Sequence, residues 1–359
     1  MQHFLYKRYK WLYNIIGDYM GHSIDLSKYQ IRTDLAIESI NNREIAGIVS
    51  NETIEDGIKI TDVFISEEGS KNINKKTGNY VTIEFEDVTD FENQKKVEKV
   101  FVKELKKMLA KLNIKDDDGC LIIGLGNSKS TPDSLGPLTI NHVLVTNHLF
   151  ELNEVEEGFR RVSVLVPGVM GQTGLETSEV IASIALKFKP KFLIAIDALA
   201  SQSVERLNKT IQMTDTGIHP GSGVGNNRKE ISFETLNIPC IAIGVPTVVD
   251  AITIVSDTIN YMHKHYTYSK LNVNNPLNKL MAYSPNYLKE KIKLNKKDKE
   301  ILLGIVGTLS DEEIKQLLFE VLTPIGFNMM VTPKEVDFTI DKLSDLIGNG
   351  LNETLHSKI

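Results

Sequence analysis

Two hydrophobic patterns succeed one another along the chain, and the change between them divides it. From Gly57 to Phe85 apolar and polar positions alternate, so "IKITDVFIS" and "YVTIEFE" predict two strands separated by a polar, Gly- and Lys-rich turn. "VEKVFVKELKKMLAKL", Val97 to Leu112, spaces its apolar residues as a helix does and leaves a Lys/Glu face for solvent. The centre reads differently. Cys120–Gly126, Val162–Gly168, Phe192–Ala200 and Cys240–Pro246 are continuous apolar runs. Runs of this kind suit strands buried on both faces, as in a parallel sheet. Helical patterns accompany them at Leu138–Phe150, Leu175–Phe188 and Val248–Met262. Strand–helix alternation predicts right-handed βαβ units. After Tyr266 the chain turns Asn/Lys-rich, then resumes helical spacing in "DKEILLGIVGTL", "DEEIKQLLFEVL" and "VDFTIDKLSDLIGNGL". The expected fold is α/β. Helices flank a mostly parallel central sheet, with extra N-terminal strands over about 57–86 and a C-terminal helical region over about 285–359.

Composition adds bounds. With 41% hydrophobic and 25% charged residues, the chain is expected to fold around a sizeable core. A net charge of −6 gives no reason to expect direct nucleic-acid or anionic-membrane binding. The aromatic, basic start "MQHFLYKRYKWLYNIIGDYM" is broken by Lys7, Arg8, Lys10 and Asp18, so it does not read as a signal peptide. No segment approaches the roughly 20 apolar residues of a membrane span. Cys120 and Cys240 both sit in apolar runs and read as core thiols in a reducing compartment, not as a disulfide.

Ligands of open α/β sheets bind beyond the carboxyl ends of the strands, so the segments after each apolar run carry the candidate chemistry. "GLGNSKSTPDSLGP" follows the first and holds Asp133 between Pro132 and a helix start, where an Asp also serves as a turn or N-cap residue. "PGVMGQTGLETSE" follows the second; its glycines precede a helix start whose free N–H groups suit an anion or oxyanion. The third run ends in Asp197, an acid costly to bury unless it is paired or used. "TDTGIHPGSGVGNNRKE" is a long glycine-rich loop carrying His219 and Arg228. Asn127, Gly168, Gly171, Glu176, His219 and Arg228 are candidates for substrate-binding or supporting roles. Two acids on different strand ends suit a water-activating pair, one as base and one kept protonated. That chemistry calls for no cofactor. No GxSxG serine, nucleophile-like cysteine, HExxH or cysteine cluster offers an alternative nucleophile or a metal site. The glycine loops lack the third Rossmann glycine, where Lys129 stands, and the P-loop Lys-Ser/Thr pair.

Taken together, "GLGNSKSTPDSLGP", "PGVMGQTGLET", "IAIDALA" and "TGIHPGSGVGNNR" resemble the germination proteases of spore-forming Firmicutes, from about Asp25 to the C-terminal helices. The resemblance implies an atypical aspartic endopeptidase, similar in fold to the hydrogenase maturation endopeptidases, with its essential acids at Asp133 and Asp197. It implies small acid-soluble spore proteins as substrates, a homotetramer, and a cytoplasmic location in the developing forespore and spore core. It also implies a zymogen. Its leader, residues 1–34, would be removed within "SKYQIRTDLA" at Asp34–Leu35, leaving a single peptidase domain over 35–359. The stretch before "DLSKYQ" is longer than the family leads one to expect, so Met20 is a candidate start beside Met1. A nickel-sensing, hydrogenase-maturation-type endopeptidase is the alternative reading, with His219 as a nitrogen ligand; the extra strands and helices count against it.

Overall fold

A computed structural model describes residues 33–40, 45–221, 229–273, 292–322 and 329–359. Arg228 and most of the leader expected over 1–34, up to residue 32 and including Met1 and Met20, lie outside the described residues. Arg32–Val249 with Val331–Ile359 make one compact unit, and Asp250–Met330 belongs to a second.

Besides the two-residue strand Met330–Val331, the strands are β1 (Ile48–Glu55), β2 (Ile58–Ile65), β3 (Gly78–Glu84), β4 (Cys120–Gly124), β5 (Val162–Leu165), β6 (Phe192–Ser201), β7 (Thr210–Thr214) and β8 (Cys240–Asp250). They lie in one sheet in the order β1-β2-β3-β7-β8-β6-β4-β5. The four continuous apolar runs form β4, β5, β6 and β8, which pair in parallel. The sheet as a whole is mixed, which corrects the expectation of a mostly parallel one. β1, β2 and β3 are antiparallel, and β7 runs antiparallel between β3 and β8. β7 is "TIQMT", buried along its whole length. Its polar residues hid it among the surrounding loops. β1 escaped notice because its sequence, "IVSNETIE", is almost wholly exposed at the sheet edge.

The helices of the first unit are α1 (Ala36–Ile40), α2 (Glu67–Ile73), α3 (Phe91–Lys111), α4 (Leu135–Ile140), α5 (Asn147–Glu151), α6 (Met170–Thr173), α7 (Thr177–Phe188) and α8 (Phe233–Leu236). In the second unit stand α9 (Ala251–Asn272), α10 (Lys296–Leu303) and α11 (Asp311–Leu322); α12 (Val336–Leu355) returns to the first. One sheet face carries Ile122, Ile194 and Ile243 against Phe101 and Leu105 of α3 and Leu346, Ile347 and Leu351 of α12. The other carries Leu121, Ile123, Leu193 and Ala195 against Ile181 of α7. Successive strand residues thus bury on opposite faces, which is why these strands read as unbroken apolar runs. The helix expected over Leu138–Phe150 is two, α4 and α5. Between them the Asn352 side chain holds the Leu144 N–H and the His142 carbonyl, and Thr146 bonds across to Arg160 and Val162, so the backbone is tied down in a non-helical path.

In the second unit the Asp250 carboxylate accepts the Thr253 N–H at 2.7 Å and caps α9, which packs on α10 and α11. Cys120 and Cys240 are free and buried, and burial pushes both thiols up, Cys240 to about 12. No helix among the described residues is long and apolar enough to cross a membrane.

Candidate active site

β4 ends at Gly124, opposite Ile196 of β6. The next residue, Leu125, donates its N–H to the Ile196 carbonyl at 2.8 Å, which ties the loop after β4 to β6 one residue before Asp197. The loop then folds on itself. Asn127 N–H donates to the Asp133 carbonyl at 2.8 Å, and Asp133 N–H donates to Ser130 at 2.8 Å. Thr131–Asp133 is a single 3-10 turn with Pro132 near its start, and Thr247 Oγ1 donates to the Pro132 carbonyl at 2.6 Å. Asp133 is half-buried at its end.

Asp197 is buried within β6 and paired with Gly244 of β8. Its Oδ1 accepts the Ala198 N–H at 2.9 Å. The two acids thus stand beside one another in the topology, one on the loop leaving β4 and one on the neighbouring parallel strand. Asn127 joins them: its side-chain oxygen accepts from Gln172 of α6, which draws in the segment after β5. Gly168, at φ +71°, turns the chain there, and its carbonyl accepts from Thr177 Oγ1 at 3.2 Å. Gly171 lies in α6. Glu176 precedes α7 without capping it and accepts a long bond, 3.5 Å, from Ser178.

His219 is engaged elsewhere. Its Nε2 lies 2.8 Å from Glu230 Oε2. Glu230 also meets Lys76 and Ser232; burial alone would raise its carboxyl, yet those two hydrogen bonds hold it below its usual value. Lys76 draws Glu234 down to about 2 as well. Among the described residues no group of three or more His, Cys, Asp or Glu is placed to hold a metal ion.

Asp34 and Leu35 lie against the carboxyl end of β6, two to three residues beyond Asp197. Asp34 N–H donates to the Ala200 carbonyl at 3.2 Å, and Ala200 N–H returns a bond to Asp34 Oδ2 at 2.9 Å. Leu35 is fully buried against Leu199, Ile37 and Ile218. Gln212 of β7 spans the bond between them. Its Nε2 donates to the Asp34 carbonyl at 3.1 Å, and its Oε1 accepts the Ala36 N–H at 2.7 Å. Lys75 Nζ donates to the Thr33 carbonyl at 2.7 Å; enclosure lowers its pKa against the pull of Asp34 and Glu38. Glu38, buried, accepts from Thr33, from Ser201 Oγ at 2.6 Å, from Gln202 N–H at 2.8 Å and from Arg206. Gln212, Lys75, Glu38 and Arg206 escaped the sequence reading. No motif marks any of them; Gln212 stands alone between Ile211 and Met213 in a short run that the loop around it obscures.

The fold is that of an α/β protein, and its two candidate acids lie at the carboxyl side of the parallel half, where open sheets bind ligands. The particular class follows from its relatives. The family model for germination proteases matches residues 27–359. Germination proteases of Geobacillus sp. (strain WCH70), Priestia megaterium and Bacillus cereus (strain AH187) are 50%, 48% and 51% identical to it, each alignment covering 95% of this chain and 97% of the relative. The chain belongs to the germination protease family and is a peptidase of spore germination. The nickel-sensing alternative finds no support in this match.

Proposed function

We propose that the chain is a zymogen that opens the degradation of small acid-soluble spore proteins, with Asp133 and Asp197 as its water-activating pair. One carboxylate takes a proton from water as the water oxygen attacks the scissile carbonyl carbon. The other, protonated, donates to the leaving nitrogen as the C–N bond breaks. Two close carboxylates cannot readily both ionise, which keeps one proton in the pair. The observation that carries this reading is the tie between the two segments, the Leu125 N–H on the Ile196 carbonyl. It sets the Asp133 loop beside the strand position of Asp197.

The same reading ends the leader at Asp34, with an acid before the cut and an aliphatic residue after it. The depth at which Leu35 and Ala36 lie, both fully buried, supports a latent precursor. Tetrameric assembly, the spore core as location and kinship in fold with the hydrogenase maturation endopeptidases belong to this proposal, and the parallel half of the sheet supports the last of them. Arg228 keeps its candidate substrate-binding or supporting role.

The test is self-cleavage of the full-length chain on mild acidification, wild type beside Asp133→Asn and Asp197→Asn, read by intact mass. Loss of residues 1–34 in the wild type alone is the expected result. Unchanged cleavage in either variant removes that acid from the mechanism.

A further inference from the structure

Gln212 takes no part in the acid pair, yet its amide bonds a main-chain group on either side of the Asp34–Leu35 bond, the Asp34 carbonyl and the Ala36 N–H. Register explains how it reaches them. Asp197 of β6 pairs with Gly244 of β8, and Gly244 pairs with Gln212 of β7. The three residues form one rung across the sheet. Paired residues point to the same face, and strands lie about 4.8 Å apart, so the Asp197 and Gln212 backbones stand about 10 Å apart with a glycine between. A peptide backbone fits across such a gap. The space over Gly244 is shared with Leu199, whose side chain would meet a Cβ there at 2.5 Å. Leu199 is two residues beyond Asp197 and so on its face, and it is the residue on which Leu35 packs. The segment held by Gln212 therefore runs over the rung that ends in Asp197.

We propose that Gln212 is a catalytic residue of the peptidase. Its Nε2–H donates to the carbonyl of the bond to be cut, and its Oε1 grips the N–H two residues downstream, in substrates as in the leader. The inference rests on the reading of Asp34–Leu35 as the cleaved bond. In the reaction, water's oxygen bonds to the carbonyl carbon while a carboxylate takes its proton. The displaced C=O electron pair settles on the oxygen that Gln212 already faces. When the carbonyl re-forms, the C–N bond breaks and the nitrogen leaves with the proton of the second acid. A buried amide fixed before the reaction stabilises that oxyanion without reorganising, the usual strength of such donors. Gln212 is a better donor here than a charged residue, because a neutral amide can hold both a carbonyl and an N–H of an extended backbone.

Two measurements test it. In the first, Gln212→Leu and wild-type full-length chains are compared for self-cleavage on acidification. Removing one such donor lowers rates by about 10²–10³-fold, and that slowing is expected in a variant that still folds, its unfolding midpoint lowered by the two bonds lost. A variant that processes within about threefold of wild type overturns the assignment. The second needs no variant. Wild-type chain that has processed itself is given the peptide Tyr29–Ser39, plain or N-methylated at the position of Ala36. The methyl removes the N–H that Gln212 accepts, and kcat/KM falls about tenfold, the loss of one neutral hydrogen bond of roughly 1.4 kcal/mol. Equal cleavage of both peptides overturns the assignment while leaving the peptidase reading intact. A wild-type chain that is never cut between Asp34 and Leu35 removes both.

Discussion

At the scale of single residues, one glycine decides where Asp133 sits. Gly126 has φ +107°, and a Cβ placed on it would lie 2.1 Å from the Asp133 carbonyl oxygen. Both the backbone conformation and the close approach exclude any other side chain. Gly126→Ala is therefore expected to fold but to push the Asp133 turn away from its place. Backbone strain of this kind costs about 1–3 kcal/mol, and a shift of about 1 Å in a catalytic group costs roughly 10²-fold in rate. Peptidase activity should fall that far while the unfolding midpoint drops only modestly. An alanine variant with wild-type activity would show that the turn does not need this geometry. The two candidate acids stood out in the sequence, because one lies late in an apolar run and the other in the loop after one, each among small residues. Gln212 was not. A lone glutamine in "TIQMT" is indistinguishable by pattern from a solvated strand residue, and only the sheet register reveals what it faces.

At the scale of elements, continuous apolar runs located β4, β5, β6 and β8, because strands buried on both faces keep few polar positions. The antiparallel half was harder to see. β2 and β3 alternate and were legible; β1 is an edge strand whose exposed residues carry no apolar rhythm. The signal for β1 was in the turn instead. Asp56 and Gly57 join Glu55 to Ile58 with φ of +50° and +83°, the two-residue hairpin turn whose twist matches paired strands. A Cβ on Gly57 would meet nothing within 4 Å, so any cost of substitution there is backbone alone. Gly57→Ala should destabilise by about 1–2 kcal/mol, and Gly57→Asn by less, since Asn enters the left-handed region more readily. Urea unfolding of the two variants measures the difference. Equal losses would mean that the turn's conformation is not what makes alanine costly.

At the scale of the whole chain, the residues just before the proposed cleavage bond do more holding than their number suggests. Thr33 and Asp34 supply the carbonyl that receives Lys75, the carbonyl that receives Gln212, two bonds to Ala200 and a hydroxyl for Glu38. The proposed cleavage at Asp34–Leu35 would remove them all with the segment before it. It leaves the enclosed Lys75 ammonium without its carbonyl, and adds a new ammonium at Leu35. Each bond is worth about 0.5–1.5 kcal/mol net, so the processed chain should be less stable than its precursor by a few kcal/mol. Glu38 keeps Ser201, Gln202 and Arg206, so α1 should stay docked at its far end and loosen at its start. Wild-type chain before and after processing, unfolded in urea at one pH, gives the stability difference. Hydrogen exchange gives its place, with the amides of Ala36 and Ile37 exchanging faster after processing and Gln202 little changed. A precursor and product of equal stability would mean that the junction's bonds are replaced as they are lost, and that latency resides in the acids rather than in the buried leader end.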